Sequence, residues 1–158
     1  MVNVRRERAT RHKSRRERGQ SLVEFALVLP IMMILIFGII DFGMGLRSYI
    51  SLTNATREGA RYAAVGNEAG AYPTDCDGST TTSVIGRVCV AMEGLNLSNV
   101  GSVSVAYPSG QTPGAEVVVS ADYTYDFITP LGDLIGFFSG GSFPDTLNLS
   151  TTTDMRLE

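Results

Sequence analysis

The strongest pattern in the chain is an uncharged apolar run from Phe25 to Ile40, which lies between Glu24 and Asp41. With its less apolar flanks the run extends from Leu22 to Leu46, 25 residues, or about 37 Å as an α-helix. That length crosses a hydrocarbon core of about 30 Å, and backbone groups in lipid must bond to one another, so the run predicts a membrane-spanning helix. Glu24 and Asp41 are 17 residues apart, about 25 Å along the helix, which places one charge at each membrane interface.

Beyond the apolar run, small residues continue at helical spacing and indicate a stem on the same helix. The strip consists of Ala55, Gly59 and Ala63 at i, i+4 and i+8, with Thr56, Ala60 and Ala64 in the adjoining row. Such a smooth strip lets a helix or a sheet approach closely, either from the chain's own domain or from another subunit, and both interpretations are open. Glu58 and Arg61 are spaced to pair on the helix surface, and Gly66-Asn67 predicts where the helix stops.

The rest of the chain alternates apolar and polar residues with the period of two that β-strands show. The alternating positions are Val103, Val105 and Tyr107, then Val117, Val119, Ala121, Tyr123 and Tyr125, then Leu147, Leu149, Thr151, Thr153, Met155 and Leu157. Turn-forming residues from Pro108 to Gly114 predict a hairpin between the first two strands. Ser83 is placed to cap a short helix over Val84 to Leu95. The expected fold class is therefore α+β: a long N-terminal helix, a small antiparallel β-sheet and one short helix.

The segment from Phe127 to Phe138 is strongly apolar but lacks a clear strand period. The preferred interpretation is a turn-containing segment of the domain core. The alternative is an apolar patch that touches a neighbouring subunit or the membrane surface.

Charge divides the chain at the apolar run. Residues 1–19 carry eight Lys and Arg against two Glu, a net charge of +6, whereas the remaining residues carry five Arg against fourteen acids, a net charge of −9. Basic residues close to a membrane helix favour the cytoplasmic side. We therefore expect a basic cytoplasmic leader (1–19), a transmembrane helix with its stem (20–66) and an extracytoplasmic α+β domain (67–158). The adjacent helix accounts for the basic tail, so no nucleic-acid partner is expected.

Cys76 and Cys89 both fall in the predicted outer domain. Outside the cytoplasm two such thiols are expected to form a disulfide rather than remain free. The bond would tie the loop over residues 68–82 to the short helix and would contribute about 3 kcal/mol in the chain-entropy model.

The sequence contains no pattern that supports catalysis, a cofactor or a metal site. The single histidine, His12, lies in the basic tail, which excludes histidine-dependent mechanisms in the outer domain. Two cysteines without an outer-domain histidine are too few for zinc, and the acidic loop from Asp75 to Ser79 departs from the EF-hand pattern at Thr80 and Gly86. Neither a G-x-S-x-G motif nor a phosphate-binding loop is present, so we predict that the chain is not an enzyme.

The junction before the apolar run differs from an ordinary secretory signal, whose small-residue cleavage site follows the apolar core. Here the small residue Gly19 comes first, followed by Gln20 and, four residues later, Glu24. This arrangement resembles the type IV prepilin signal, which a membrane aspartyl peptidase cuts on the cytoplasmic side. The stretches GQSLVEFALVLP, FGIIDFG and NATREGARYAA, and the closing TTTDMRLE, resemble TadE-like proteins, the minor pilins or pseudopilins of the tight-adherence, or Flp, pilus system.

The resemblance implies a part in the assembly or initiation of a Flp-type, type IV-like pilus used for surface adherence. It implies cleavage between Gly19 and Gln20, and residence in the cytoplasmic membrane before incorporation into a pilus. The implied partners are other pilin or pseudopilin subunits, the prepilin peptidase, membrane lipid and a membrane assembly platform. A second class of function also fits: an unprocessed, membrane-anchored extracytoplasmic module that binds a ligand. An anchored hydrolase fits less well, because the outer domain has no histidine.

Two residues near the start of the helix are candidates for helix register and assembly. Cleavage after Gly19 creates an α-amine at Gln20, and Glu24 is placed to pair with that amine in its own or a neighbouring chain. Such pairing offsets part of the cost of holding a carboxylate near a bilayer. The resemblance implies that Glu24 sets subunit register. Pro30 removes one helical hydrogen bond and is expected to kink the helix near Leu27–Leu29.

Overall fold

The computed structural model describes residues 13–158 except Pro73 and Glu93, and it describes side chains from Gly19 onward with the same exceptions. Most of the predicted basic leader, including His12, lies outside the described residues.

The elements follow one another as α1 (Lys13–Ala64), α2 (Val84–Ala91), a 3-10 turn (Leu97–Asn99), β1 (Val100–Ala106), β2 (Glu116–Asp126), α3 (Leu131–Ser139) and β3 (Thr146–Arg156). The three strands form one antiparallel sheet in the order β1-β2-β3. The long helix stops at Ala64 as predicted, just before Gly66, whose φ of 83° places it in the left-handed region. The predicted α+β fold class is confirmed.

The sheet has one face toward the helices and one toward solvent, as the alternation of residues predicts. On the central strand, Val117, Val119 and Ala121 are all fully buried. Val119 pairs with Val105 of β1 on one side and with Thr153 of β3 on the other. The three predicted strands and the hairpin between the first two are therefore confirmed.

The second half of α1 and the whole of α2 lie on the inner face of this sheet. α1 contacts β2 and β3, α2 contacts β1, and the two helices contact each other. The largest fully buried side chains are Leu52, Met92, Val84, Val88, Val117 and Val119. The core of the domain therefore includes one side of the long helix, and the domain is built on that helix rather than beside it.

The predicted short helix begins where expected and ends early. The backbone N–H of Gly86 donates to Ser83 Oγ over 3.1 Å, which makes Ser83 the N-cap of α2. The helix ends at Ala91 instead of Leu95. Gly94 has a φ of 81°, a left-handed conformation that turns the chain away from the helical path.

The sequence predicts one short helix after the long one, but the structure has a second, α3, inside the apolar segment from Phe127 to Phe138. The interpretation of this segment as domain core is wrong for its second half. Leu131 is 9% exposed, whereas Phe137 and Phe138 are 81% and 54% exposed. The apolar residues of this nine-residue helix form one broad face, and the domain covers the part that contains Leu131 but leaves Phe137 exposed.

Candidate assembly and anchoring sites on the long helix

The rest of the chain covers little of the first half of α1. No residue from Gly19 to Ile40 is buried. The most exposed apolar side chains there are Leu22, Val23, Phe25, Leu27, Ile31, Leu35 and Ile39, each at least 60% exposed. Within the described residues, α1 is the one helix long and apolar enough to cross a membrane.

The residues of the predicted cleavage site lie within this uncovered half. Gly19 and Gln20 are exposed, and Gln20 Nε2 donates a hydrogen bond to Glu24 Oε1 over 3.2 Å. Helical side chains lean toward the N-terminus of their helix, so the Glu24 carboxylate reaches back one turn to the residue that cleavage would leave with an α-amine. Cleavage and the register role of Glu24 stay predictions.

Pro30 lies within an unbroken helix, since α1 continues through it. It is half-buried, and with Phe37 it lines a groove whose other wall includes Leu134 and Phe138 of α3. Pro30 therefore faces the outer domain's second short helix, a neighbour that the sequence did not indicate. The predicted kink and a role of Pro30 in assembly stay predictions.

The small-residue strip of the stem packs on the chain's own domain. Ala55 and Ala63 are fully buried, and a Cβ built on Gly59 would lie 2.2 Å from Cγ2 of Val88. Because no side chain fits at residue 59, α2 packs directly on the backbone of α1. The structure therefore accounts for Ala55, Gly59 and Ala63 within one chain, and packing of this strip against another subunit stays a prediction.

Threonine hydroxyls join the stem to the last strand. Thr56 Oγ1 lies 3.0 Å from Oγ1 of Thr153 and donates to the carbonyl of Thr53 over 3.0 Å, and Thr53 Oγ1 lies 3.5 Å from that of Thr151. Thr56 is fully buried, so its hydroxyl needs these partners. The alternation of β3 predicts that Thr151 and Thr153 share a face, but it does not indicate that hydroxyls on α1 meet them.

Asp41 makes contacts that the sequence did not indicate. It is 3% exposed. Its Oδ1 accepts hydrogen bonds from the backbone N–H groups of Ile128 at 2.9 Å and Thr129 at 3.3 Å, and its Oδ2 accepts from the Thr129 hydroxyl. This carboxylate therefore fastens the end of the apolar run to the segment between β2 and α3. The acid between two apolar stretches was visible in the sequence, but its partners 87 and 88 residues away were not.

Tyr125 completes the packing beside this carboxylate. Its ring lies against Gly45, where a built Cβ would be 3.6 Å from the ring. Tyr125 is 5% exposed, and its hydroxyl is a buried group without a hydrogen-bond partner among the described residues. Burial raises the pKa of Tyr125, and the charge of Asp41 acts in the same direction. The phenol therefore stays protonated beside the Asp41 carboxylate.

A small charge cluster lies at the outer side of the stem. The predicted pair of Glu58 with Arg61 is present, with 3.1 Å between Glu58 Oε1 and Arg61 Nη2. Arg87 of α2 donates to the same oxygen at 3.1 Å, and its guanidinium lies 5.8 Å from the centre of the Tyr62 ring. The hydrogen bonds from Arg61 and Arg87 lower the pKa of Glu58. The cluster thus ties α2 to α1 at the domain surface.

Cys76 and Cys89 form the predicted disulfide, with their Cα atoms 5.2 Å apart. The bond links the loop that follows α1 to α2, whose Cys89 is 2% exposed. Among the described residues, no group of three or more His, Cys, Asp and Glu side chains is placed to hold a metal ion.

These features define a class of protein: one N-terminal helix able to span a membrane, with a small α+β domain built on its second half. Residues 19–61 match the family model described as TadE-like protein, which confirms the resemblance over the uncovered half of α1 and most of its stem. The match suggests a protein associated with the tight-adherence pilus. No curated protein and no solved structure matches the chain.

Proposed function

We propose that this chain is a TadE-like minor pilin or pseudopilin that takes part in the assembly or initiation of a Flp-type pilus used for surface adherence. It is held in the cytoplasmic membrane by α1, with the basic leader inside and the α+β domain outside. Its partners are other pilin or pseudopilin subunits, the prepilin peptidase, membrane lipid and the assembly platform. The role is structural rather than enzymatic.

The observation that supports this proposal best is the difference in burial between the two halves of α1. From Gly19 to Ile40, α1 is apolar on all sides and none of it is buried, whereas beyond Asp41 the same helix is part of the domain core. An apolar surface of this size needs lipid or protein around it. Lipid provides that cover while the subunit waits in the membrane, and neighbouring pilin helices provide it after assembly.

Processing follows from the start of the same helix. Gly19 is exposed, and no described side chain lies within 4 Å of a Cβ built there, so a peptidase meets a small residue at an exposed position. Cutting after Gly19 removes the basic leader and exposes an amine at Gln20 within reach of Glu24. The mature protein then consists of the helix with its stem (20–66) and the outer domain (67–158).

The mature N-terminus tests this function. In cells with an active prepilin peptidase, mass spectrometry of the membrane-extracted protein should find an N-terminal peptide that begins at Gln20. Gly19→Leu should block the cut while leaving membrane insertion intact, because the apolar run is unchanged. Intact N-termini in the wild-type protein would contradict the proposal and favour the unprocessed, membrane-anchored module that binds a ligand.

A further inference from the structure

α3 lies beside the apolar half of α1 rather than beside the stem. One groove has Leu29, Pro30 and Phe37 of α1 on one wall and Leu134 and Phe138 of α3 on the other. Pro30 precedes Asp41 by eleven residues, about 16 Å along the helix. The far end of α3 is therefore level with the middle of the apolar run, well inside the segment expected to cross a membrane.

Asp41 fixes the position at which α3 begins beside α1. Its carboxylate holds the backbone N–H groups of Ile128 and Thr129, and the helix begins at Leu131 just after them. From that point α3 runs back toward the N-terminal end of α1, over nine residues or about 13 Å. The segment from β2 to β3 therefore forms a loop that extends alongside the membrane-spanning half.

The large side chains that this loop exposes are apolar. Ile128, Phe137, Phe138 and Phe143 are 63%, 81%, 54% and 43% exposed. Asp133 and Asp145 are the two charged residues between β2 and β3. A monomeric domain in water rarely leaves so many large apolar side chains together on its surface.

We infer that α3 and its flanking residues are immersed in the acyl chains of the bilayer leaflet that faces the α+β domain. This inference rests on the proposed membrane-spanning role of α1. The exposed face of α3 continues the exposed apolar surface of α1 at the same depth, so the lipid that surrounds one helix also meets the other. The occupant of this surface before assembly is lipid, rather than a second copy of the chain.

The polar backbone groups at the start of the loop and within α3 fit that environment. Backbone groups in lipid need internal partners, and a helix provides them for most of α3. The two N–H groups just before the helix, on Ile128 and Thr129, are bonded to Asp41 instead of water. Asp133 lies in the first turn of α3, where a negative charge favours the helix dipole, and it lines the groove with Pro30.

Tryptophan fluorescence tests the inference directly, because the chain contains no tryptophan. The full chain is reconstituted in phosphatidylcholine vesicles whose acyl chains carry bromine, a quencher within the hydrocarbon, and iodide is added separately from the aqueous side. Phe137→Trp is the test variant, and Phe138→Trp is made as well in case one of them folds poorly. Leu27→Trp is the control in the apolar run, and Val65→Trp, 60% exposed just after the end of α1, is the control in water.

Phe137→Trp should lose most of its emission in brominated vesicles, as Leu27→Trp does, and should resist iodide, whereas Val65→Trp should show the reverse. Quenching of Phe137→Trp by iodide alone would place α3 in water and overturn the inference. Protection from both quenchers would mean that protein covers α3, and that also overturns it. If Leu27→Trp escapes the brominated lipid, the membrane-spanning role of α1 fails, and the inference fails with it.

Discussion

Between Gly19 and Ile40 the long helix buries no residue, whereas between Asp41 and Ala64 the same helix buries ten. Both halves have the same backbone structure and follow one another without a break. Their surroundings differ because their side chains differ. The first half needs cover from outside the chain, and the second half is covered from within it.

The two halves differ both in hydrophobicity and in the size of their side chains. The first half carries Leu, Ile, Met and Phe on every side, which is typical of a helix surrounded by lipid or by other helices. The second half places small residues on one side, and α2 fits against them so closely that Gly59 leaves no room for a methyl group. Large apolar side chains all round therefore mark the half that meets other molecules, and a strip of small ones marks the half that meets its own domain.

Loss of the Glu24 carboxylate should have the largest effect, and it acts on the uncovered half alone. If Glu24 pairs with the new amine of Gln20 in the assembled pilus, Glu24→Leu leaves that amine desolvated and unpaired, at a cost of about 3–5 kcal/mol. We expect normal membrane levels and normal cleavage, but little of the protein in pili. The measurement is the amount of protein in membrane and sheared-pilus fractions, together with a count of pili.

Glu68→Leu is the matched control, because Glu68 is an exposed glutamate outside the helix. It should leave both fractions unchanged. If Glu24→Leu and Glu68→Leu give the same fractions and the same number of pili, Glu24 has no part in assembly.

Asp41 stands at the boundary between the two halves, and its removal should loosen the domain from the apolar run. Asp41→Ala leaves the N–H groups of Ile128 and Thr129 without their charged acceptor, which costs about 1.5–3 kcal/mol of unfolding free energy. Hydrogen exchange of the purified full chain in detergent should become faster over residues 127–139 and stay unchanged in α2. Asp133→Ala, which removes an exposed acid from the same segment, should not change it. Unchanged exchange at Ile128 and Thr129 in Asp41→Ala would show that the carboxylate does not hold the segment.

Asp41 also shows which features of the fold could not be predicted from the sequence. The apolar run, the end of α1, the three strands, the hairpin between the first two and the cap of α2 were all predicted, because each depends on residues close together in the chain. The partners of Asp41 lie 87 and 88 residues away, and no local pattern connects an acid at the end of one apolar run with two backbone N–H groups. The Thr56–Thr153 contact and the bond of Arg87 to Glu58 were missed for the same reason.

The helix α3 was missed for a different reason. A short apolar stretch gives the same signal whether it is a core segment or a helix that exposes its apolar face. Exposure of Phe137 decides between the two, and exposure depends on where the segment lies relative to Pro30 and the rest of the apolar run. The sequence was consistent both with a core segment and with an exposed apolar patch from Phe127 to Phe138. The packing of α3 against α1 favours the exposed patch.

Adding a methyl group at Gly59 tests the packing of α2 on the second half of α1. In Gly59→Ala the new methyl group would lie 2.2 Å from Cγ2 of the fully buried Val88, so the helices must move apart. Overpacking costs about 1–3 kcal/mol, and the better helix propensity of alanine returns up to about 1 kcal/mol. We expect a net loss of about 1–2 kcal/mol, measured as a shift of the denaturation midpoint of the full chain in detergent.

Gly43→Ala is the matched control in the same helix, since nothing lies within 4 Å of a Cβ built at Gly43. It should be neutral or slightly stabilising. Adding Val88→Ala to Gly59→Ala should cost less than the two single losses together, because the shortened Val88 makes room for the methyl group. Equal stability of Gly59→Ala and Gly43→Ala would contradict the close packing of α2 on α1.

The smallest effect is expected at Glu58, where charges rather than packing join α2 to the stem. Glu58 Oε1 accepts hydrogen bonds from Arg61 and Arg87, both at 3.1 Å, and these bonds lower the pKa of Glu58 below its ordinary value of 4.5. A carboxyl with a lower pKa in the folded state stabilises the fold above the ordinary value, and that contribution is lost as the pH falls through the folded pKa.

Glu58→Gln should therefore lower the unfolding free energy by about 0.2–1 kcal/mol at neutral pH, because the pairs lie partly in solvent. The loss should shrink as the pH falls below 4.5, where the wild-type carboxyl becomes protonated and loses its own ion pairs. Denaturation midpoints across this pH range should fall more steeply for the wild type than for Glu58→Gln, and Glu68→Gln should follow the wild type. Parallel curves for all three proteins would mean that α2 is held to the stem by its apolar contacts alone, with no contribution from the ion pairs.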